Sequence, residues 1–188
     1  MARSLPRSTR LALLLLALLA GCGGAPPPGK YPDLSWKHLP PIKLLVDKIE
    51  VVREYQPRLI SPHVETLAPR GLLDSAAGWA KDRLVADGDE GTARFVIIDA
   101  SLVETRAASA QERRYLGHVA VRIEIRDEHG AVIGQAAAEA SHTESVPRNA
   151  SDSELREAWY LIVQGAMLDL NAELERSIRF YLSRFVEQ

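Results

Sequence analysis

The strongest constraint on the fold is a strict alternation of apolar and polar residues between positions 114 and 126. Every second position from 119 to 125 is valine or isoleucine, and charged residues fill positions 122, 124 and 126. Successive side chains of a β-strand point to opposite faces, so this pattern predicts a strand with one core face and one solvent face. Residues 127–130 read Asp-Glu-His-Gly, which is typical of a hairpin turn. The sequence therefore predicts antiparallel β-structure.

Three further segments have strand character. Residues 42–54 alternate with one slip in register, which predicts a strand with a bulge. Residues 92–105 are apolar on both faces, as expected of a central strand. Residues 131–146 are rich in alanine, so the second hairpin strand packs closely or lies at a sheet edge.

Two segments have helical periodicity. Residues 72–86 form the first predicted helix, and Gly88 suits a position just past its end. Ser151 and Glu154 form a capping box that starts the second helix, residues 152–186. The expected core face of the first helix holds Leu73, Ala76, Ala77, Ala80 and Leu84, with Trp79 elsewhere on the circle. The expected stripe of the second holds Leu155, Trp159, Ile162, Val163, Ala166, Met167, Leu170, Leu174, Ile178, Tyr181 and Phe185.

The predicted order is β-α-β-β-β-α, which indicates an α+β fold. Two helices are expected to pack on one face of a four-stranded, mainly antiparallel sheet. The first two strands are joined through a helix, so they are predicted to run parallel. We expect residues 42–188 to form this single domain, since a chain of that size can bury a sufficient core without disulfides.

The N-terminus indicates export from the cytoplasm. Residues 1–10 contain three arginines and no acidic residue, and residues 11–20 are only leucine and alanine. A basic stretch followed by such a run is a secretory signal pattern, and the run is too short to span a bilayer as a helix. Residues 1–21 are therefore predicted to be a cleaved signal peptide.

The chain's only cysteine directly follows this run, in Leu19-Ala20-Gly21-Cys22. These four residues resemble the lipobox of bacterial lipoproteins. The resemblance implies cleavage between Gly21 and Cys22, a diacylglycerol on the Cys22 thiol and an acylated amine, which together anchor the chain firmly in a membrane. In bacterial lipoproteins, an aspartate directly after the cysteine favours retention of the protein at the inner membrane. Gly23 occupies that position here, so the resemblance implies sorting to the inner leaflet of the outer membrane. The alternative for Cys22 is an ordinary buried cysteine.

Residues 22–41 are predicted to be the lipidated cysteine and a proline-rich linker. Six of the eleven prolines lie in residues 23–41, which favours an extended stalk. Tyr31, Leu34 and Trp36 are expected to dock back on the domain, with a partner contact as the alternative. From Cys22 onward the chain has 20 basic and 25 acidic residues, which argues against nucleic acid as a partner.

No motif of a known catalytic centre is present, so we expect no enzymatic activity, no metal and no cofactor. Neither a nucleophile elbow nor a phosphate-binding glycine loop occurs. Residues 87–98 lack the ligands that a calcium loop requires at its fifth, sixth and twelfth positions. No two of the histidines have metal-ligand spacing; they are His38, His63, His118, His129 and His142.

The mature chain also resembles two groups at a coarser level. The pattern Asp127-x-x-Gly130-x-Val132-Ile133, with a final long amphipathic helix, is similar to the ABC-transport auxiliary lipoproteins, and the layout to the lipopolysaccharide-assembly lipoprotein. The segment Tyr31–Trp36 with Pro41 and residues 91–95 resembles a family of uncharacterised proteobacterial lipoproteins. These resemblances imply a place in the envelope but no defined activity.

The second half of the last helix is the candidate partner surface. Its residues off the main stripe are Leu168, Phe180, Leu182 and Val186. Extra apolar residues on a terminal helix could contact a protein or an acyl chain; the alternative is that other segments bury them. We therefore expect a non-catalytic lipoprotein that assists envelope assembly or lipid transport. The alternatives are a purely structural envelope protein and a periplasmic enzyme whose site is assembled from distant residues.

Overall fold

The computed structural model describes residues 30–187. All described residues except Lys30 belong to the second of the chain's two units, Tyr31–Gln188. The predicted signal peptide and Cys22 lie outside the described residues. The second unit has the predicted α+β fold, in which two helices pack against a four-stranded, mainly antiparallel sheet.

Strands are numbered in chain order, and β1 and β3 form a separate sheet described below. The main sheet contains four strands, which lie side by side in the order β2 (Lys48–Arg53), β4 (Thr92–Thr105), β5 (Glu112–Arg126) and β6 (Val132–Pro147). β2 runs parallel to β4, as predicted for strands joined through a helix, and the other pairs are antiparallel. The predicted turn at residues 127–130 joins β5 to β6, and β6 lies at the sheet edge.

The predicted first strand, 42–54, is wrong in one respect, because it is two strands rather than one with a bulge. β1 (Ile42–Leu44) pairs with β3 (Leu84–Ala86) in a separate two-stranded parallel sheet, and β2 begins at Lys48. The slip in the apolar pattern marks the point where the chain leaves one sheet and joins the other.

The first helix, α1 (Leu72–Arg83), is shorter than predicted because β3 follows it at once. Gly88 therefore does not end a helix. A Cβ atom on Gly88 would lie 2.6 Å from the carbonyl carbon of Leu45, so glycine lets two backbone segments approach each other there.

Trp79 is the centre of the contact between α1 and the sheet, which corrects its predicted place off the core face. Its ring stacks on Phe95 with centroids 5.7 Å apart, and its Nε1 donates to Asn171 Oδ1 at 2.8 Å. Leu72 and Ala76 are buried on the same helix face. Many apolar residues of α1 are small, so the sequence pattern only weakly indicates which face of the helix is buried. Burial of the large indole ring of Trp79 sets which face packs against the sheet.

The second helix, α2 (Asp152–Tyr181), begins with the predicted capping box. Ser151 Oγ accepts from the Glu154 N–H at 3.4 Å, and Glu154 Oε2 accepts from the Ser151 N–H at 2.7 Å. The predicted stripe is buried from Leu155 to Ile178. The helix ends five residues earlier than predicted, and Tyr181 is exposed rather than part of the stripe.

Residues 31–41, predicted to belong to the linker, pack on the helices. The ring of Tyr31 lies 5.4 Å from that of Tyr160 on α2. Trp36 is buried, and its backbone N–H donates to Asp82 Oδ2 on α1 at 3.0 Å. The compact unit therefore starts at Tyr31, and residues 31–41 connect the two helices.

Candidate functional site

The predicted lipidation site cannot be placed on this fold. Cys22, and the predicted cleavage point between it and Gly21, lie outside residues 30–187. Both stay predictions from the sequence.

The structure separates the four residues of the predicted partner surface. Leu168 and Phe180 are exposed. Leu182 is fully buried, with its Cδ2 3.0 Å from where a Cβ of Gly134 would lie. Val186 is half-buried and forms an isolated antiparallel bridge with Leu44. Leu182 thus belongs to the core, because the chain turns at the end of α2 and brings it back onto β6.

Two aromatic rings form the exposed end of α2, and we call Phe180 and Tyr181 the terminal aromatic pair. Phe180 is 75% exposed and Tyr181 is 64% exposed. Their ring centroids are 4.8 Å apart with an interplanar angle of 82°, an edge-to-face contact. A pair of exposed rings offers a large apolar area with little side-chain freedom, as partner-binding residues do.

A partly buried polar cluster lies within the connection between β2 and α1, around the buried Glu65. The Tyr55 hydroxyl donates to Glu65 Oε1, and His63 Nδ1 lies 2.7 Å from the same oxygen. Burial raises the pKa of Tyr55, and the hydrogen bond to Glu65 raises it further. Among residues 30–187, Glu65 Oε2 has no hydrogen-bond partner. The three residues have no shared sequence motif, so this cluster was not predicted.

A cleft of about 490 Å³ lies beside this cluster. Leu34, Pro57, Glu65 and Arg70 contribute to its wall, together with the first turn of α1. That helix has no side-chain hydrogen bond at its N-cap, Gly71. The carboxylate and the first-turn backbone could bind small polar groups, but no nucleophile is hydrogen-bonded to His63 in the described part of the chain.

The sheet face opposite the helices carries a charge cluster. Glu124 accepts from Arg122 Nε at 2.8 Å and from Arg126 Nη2 at 2.6 Å, and Arg94 Nη1 lies 3.6 Å away. The hydrogen bond from Arg126 is the main cause of the lowered pKa of Glu124, with Arg122 adding to it. The sequence contained a signal for this cluster, because the charged residues at 122, 124 and 126 lie two apart and residues i and i+2 of a strand share one face.

Residues 30–187 contain no group of three or more His, Cys, Asp or Glu side chains placed to bind a metal ion. Within the same range, neither helix is both long enough and apolar enough to cross a bilayer.

Comparisons with known proteins return structural neighbours only. No family model matches the chain, and no curated protein matches it. A minor lipoprotein from Acinetobacter baumannii has 10% identity and a TM-score of 0.38, with 77% of this chain and 98% of that one covered. A protein from Caulobacter crescentus CB15 described as a "putative lipoprotein" has 15% identity and a TM-score of 0.31, with 68% and 90% covered. Similarities this low do not assign a family or a function.

Proposed function

We propose that this chain is a bacterial lipoprotein, anchored by acylated Cys22 and facing the periplasm, that acts as a non-catalytic accessory in envelope assembly or lipid transport. The observation that carries the proposal is the sequence of residues 1–22, in which a basic segment, a ten-residue apolar run and Leu-Ala-Gly-Cys follow in order. The inner leaflet of the outer membrane is the proposed location.

The described unit supports this proposal in two ways. The compact fold begins at Tyr31, so only a short segment separates it from Cys22. The terminal aromatic pair lies at the far end of α2 from Tyr160, about 30 Å along the helix axis at ~1.5 Å per residue. A partner in the periplasm could therefore bind Phe180 and Tyr181 while the chain stays anchored.

The test is mass spectrometry of the mature protein extracted from membranes in mild detergent. We expect an acyl-modified Cys22 and a stoichiometric envelope protein or a specific lipid. The variant Phe180→Asp should lose that component, with binding weakened about tenfold or more. The control Leu161→Asp, at an exposed apolar residue near the start of α2 and outside the predicted partner surface, should keep it.

Two outcomes would contradict the proposal. An unmodified Cys22 would remove the anchor. An acylated protein with only bulk lipid would remove the accessory function and favour a purely structural protein.

A further inference from the structure

The loop between β2 and α1 presents apolar side chains to solvent. Leu59 is 82% exposed and Ile60 is 71% exposed, and Leu67 in the same segment is 59% exposed. Leu59 is the most exposed large apolar residue of residues 30–187. Single exposed apolar residues are common on protein surfaces. Leu59 and Ile60 are instead adjacent at the tip of the loop and directly follow Arg58, and core packing does not explain their exposure.

The base of this loop is fixed to the sheet. Val64 N–H donates to the Leu102 carbonyl at 2.9 Å, and Glu104 N–H donates to the Pro62 carbonyl at 2.8 Å. The buried Glu65, held by Tyr55 and His63, adds side-chain bonds. These bonds hold the base of the loop in one conformation. The loop tip therefore loses less conformational entropy when it binds a surface.

The N-terminal end of the unit lies on the same side as this loop. Asp33 Oδ1 and Arg70 Nε are 2.8 Å apart, and Leu34 and Pro57 line the same cleft. Residues 22–31 span at most about 32 Å when fully extended. In the acylated chain the unit is tethered through Tyr31, and the loop lies on the side of the unit where that tether begins.

The terminal aromatic pair lies far from this aliphatic loop tip, at the other end of α2. Val64 and Ala68, at the base of the loop, pack against the cluster that contains Leu155 and Trp159, at the start of α2. The terminal aromatic pair ends the same helix. The loop and the terminal aromatic pair are therefore separated by most of the length of α2.

We propose that the loop of residues 57–67 inserts Leu59 and Ile60 into the surface of the bilayer that holds Cys22, with Arg58 at the lipid phosphates. Apolar side chains enter the boundary between headgroups and acyl chains, and an adjacent cation is attracted by anionic lipid. With the lipid anchor, this second contact fixes the orientation of the unit and directs α2 away from the membrane. The inference rests on the proposed acylation of Cys22.

The test uses the acylated mature chain in vesicles of phosphatidylethanolamine and phosphatidylglycerol. Cys22 is the only cysteine and its thiol is blocked by lipid, so a cysteine introduced by Ile60→Cys can be labelled alone with a polarity-sensitive fluorophore. Phe180→Cys is the matched control, since the two residues are similarly exposed. We expect a blue-shifted emission quenched by brominated lipid at position 60 and aqueous emission at position 180. Aqueous emission at both positions would overturn the inference.

A second arm separates this inference from the proposed function. Mass spectrometry of the same sample reports acylation of Cys22, which the proposed function requires. If Cys22 is unmodified, the Cys22→Ser chain with Ile60→Cys is added to the same vesicles at high lipid concentration. A lipid-dependent blue shift there supports insertion of the loop without an anchor, and its absence overturns insertion.

Discussion

Glu124 is a single carboxylate among three arginines on the open face of the sheet. Its two oxygens accept hydrogen bonds from Arg122 and Arg126, and its side chain is 9% exposed. Without the carboxylate, the three guanidinium groups would repel one another across adjacent strands. This residue therefore stabilises the pairing of β4 with β5.

The pH dependence of stability should report this carboxylate. Its pKa in the folded chain is lowered below the ordinary 4.5. The stabilisation is therefore fully present above pH 4.5 and is lost as pH falls through the lower, folded pKa. We expect Glu124→Gln to reduce the free energy of unfolding by about 2 kcal/mol at pH 7 and by less at pH 3, which lies below the ordinary pKa of 4.5.

Urea denaturation of the mature chain at both pH values measures this difference. Glu139→Gln, at an exposed position on β6, is the control and should change stability by less than about 0.5 kcal/mol. An equal effect of Glu124→Gln at pH 3 and pH 7 would show that the carboxylate charge is not the cause.

At the scale of elements, Arg83 holds both helices and the segment 31–41 together. Its side chain is 2% exposed; Nη2 donates to Glu175 Oε2 on α2 at 2.7 Å, and Nη1 donates to the Pro40 carbonyl. An uncompensated buried group is costly, whereas an exposed ion pair contributes little.

We expect Arg83→Ala to lower the free energy of unfolding by about 3 kcal/mol, because it leaves the Pro40 carbonyl and Glu175 without this donor and removes a buried stem. The control Arg176→Ala breaks only a surface pair with Glu173 and should cost less than about 1 kcal/mol. Urea unfolding followed by tryptophan fluorescence measures both. Similar losses for the two variants would mean that Arg83 does not connect these elements.

At the scale of the whole molecule, the loop tip and the terminal aromatic pair should act independently. Leu59→Asp combined with Ile60→Asp should abolish lipid contact of the loop and leave a co-purified partner in place. Phe180→Asp should do the reverse, because the two surfaces lie near opposite ends of α2. Lipid quenching and co-purification, measured on both variants, check this. Loss of both properties in either variant would show that one surface serves both.

The sequence by itself determined the elements that depend on neighbouring residues. The alternation in β5, the turn at 127–130 and the Ser151 capping box are all confirmed, because their physical causes act over two to four positions in the chain. The α+β class followed from the order of these elements. The anchor at Cys22 is likewise an inference from local sequence, and it stays a prediction.

Only the tertiary structure decided which surfaces those elements expose. Leu182 is buried because the chain returns to Gly134, and residues 31–41 join the unit because the Trp36 N–H and the Pro40 carbonyl find partners on α1, at Asp82 and Arg83. The bonds of Glu65 to Tyr55 and His63 likewise depend on how the segment before α1 folds back on the sheet. Such contacts leave no periodic signal, because packing between distant segments, rather than local propensity, sets them.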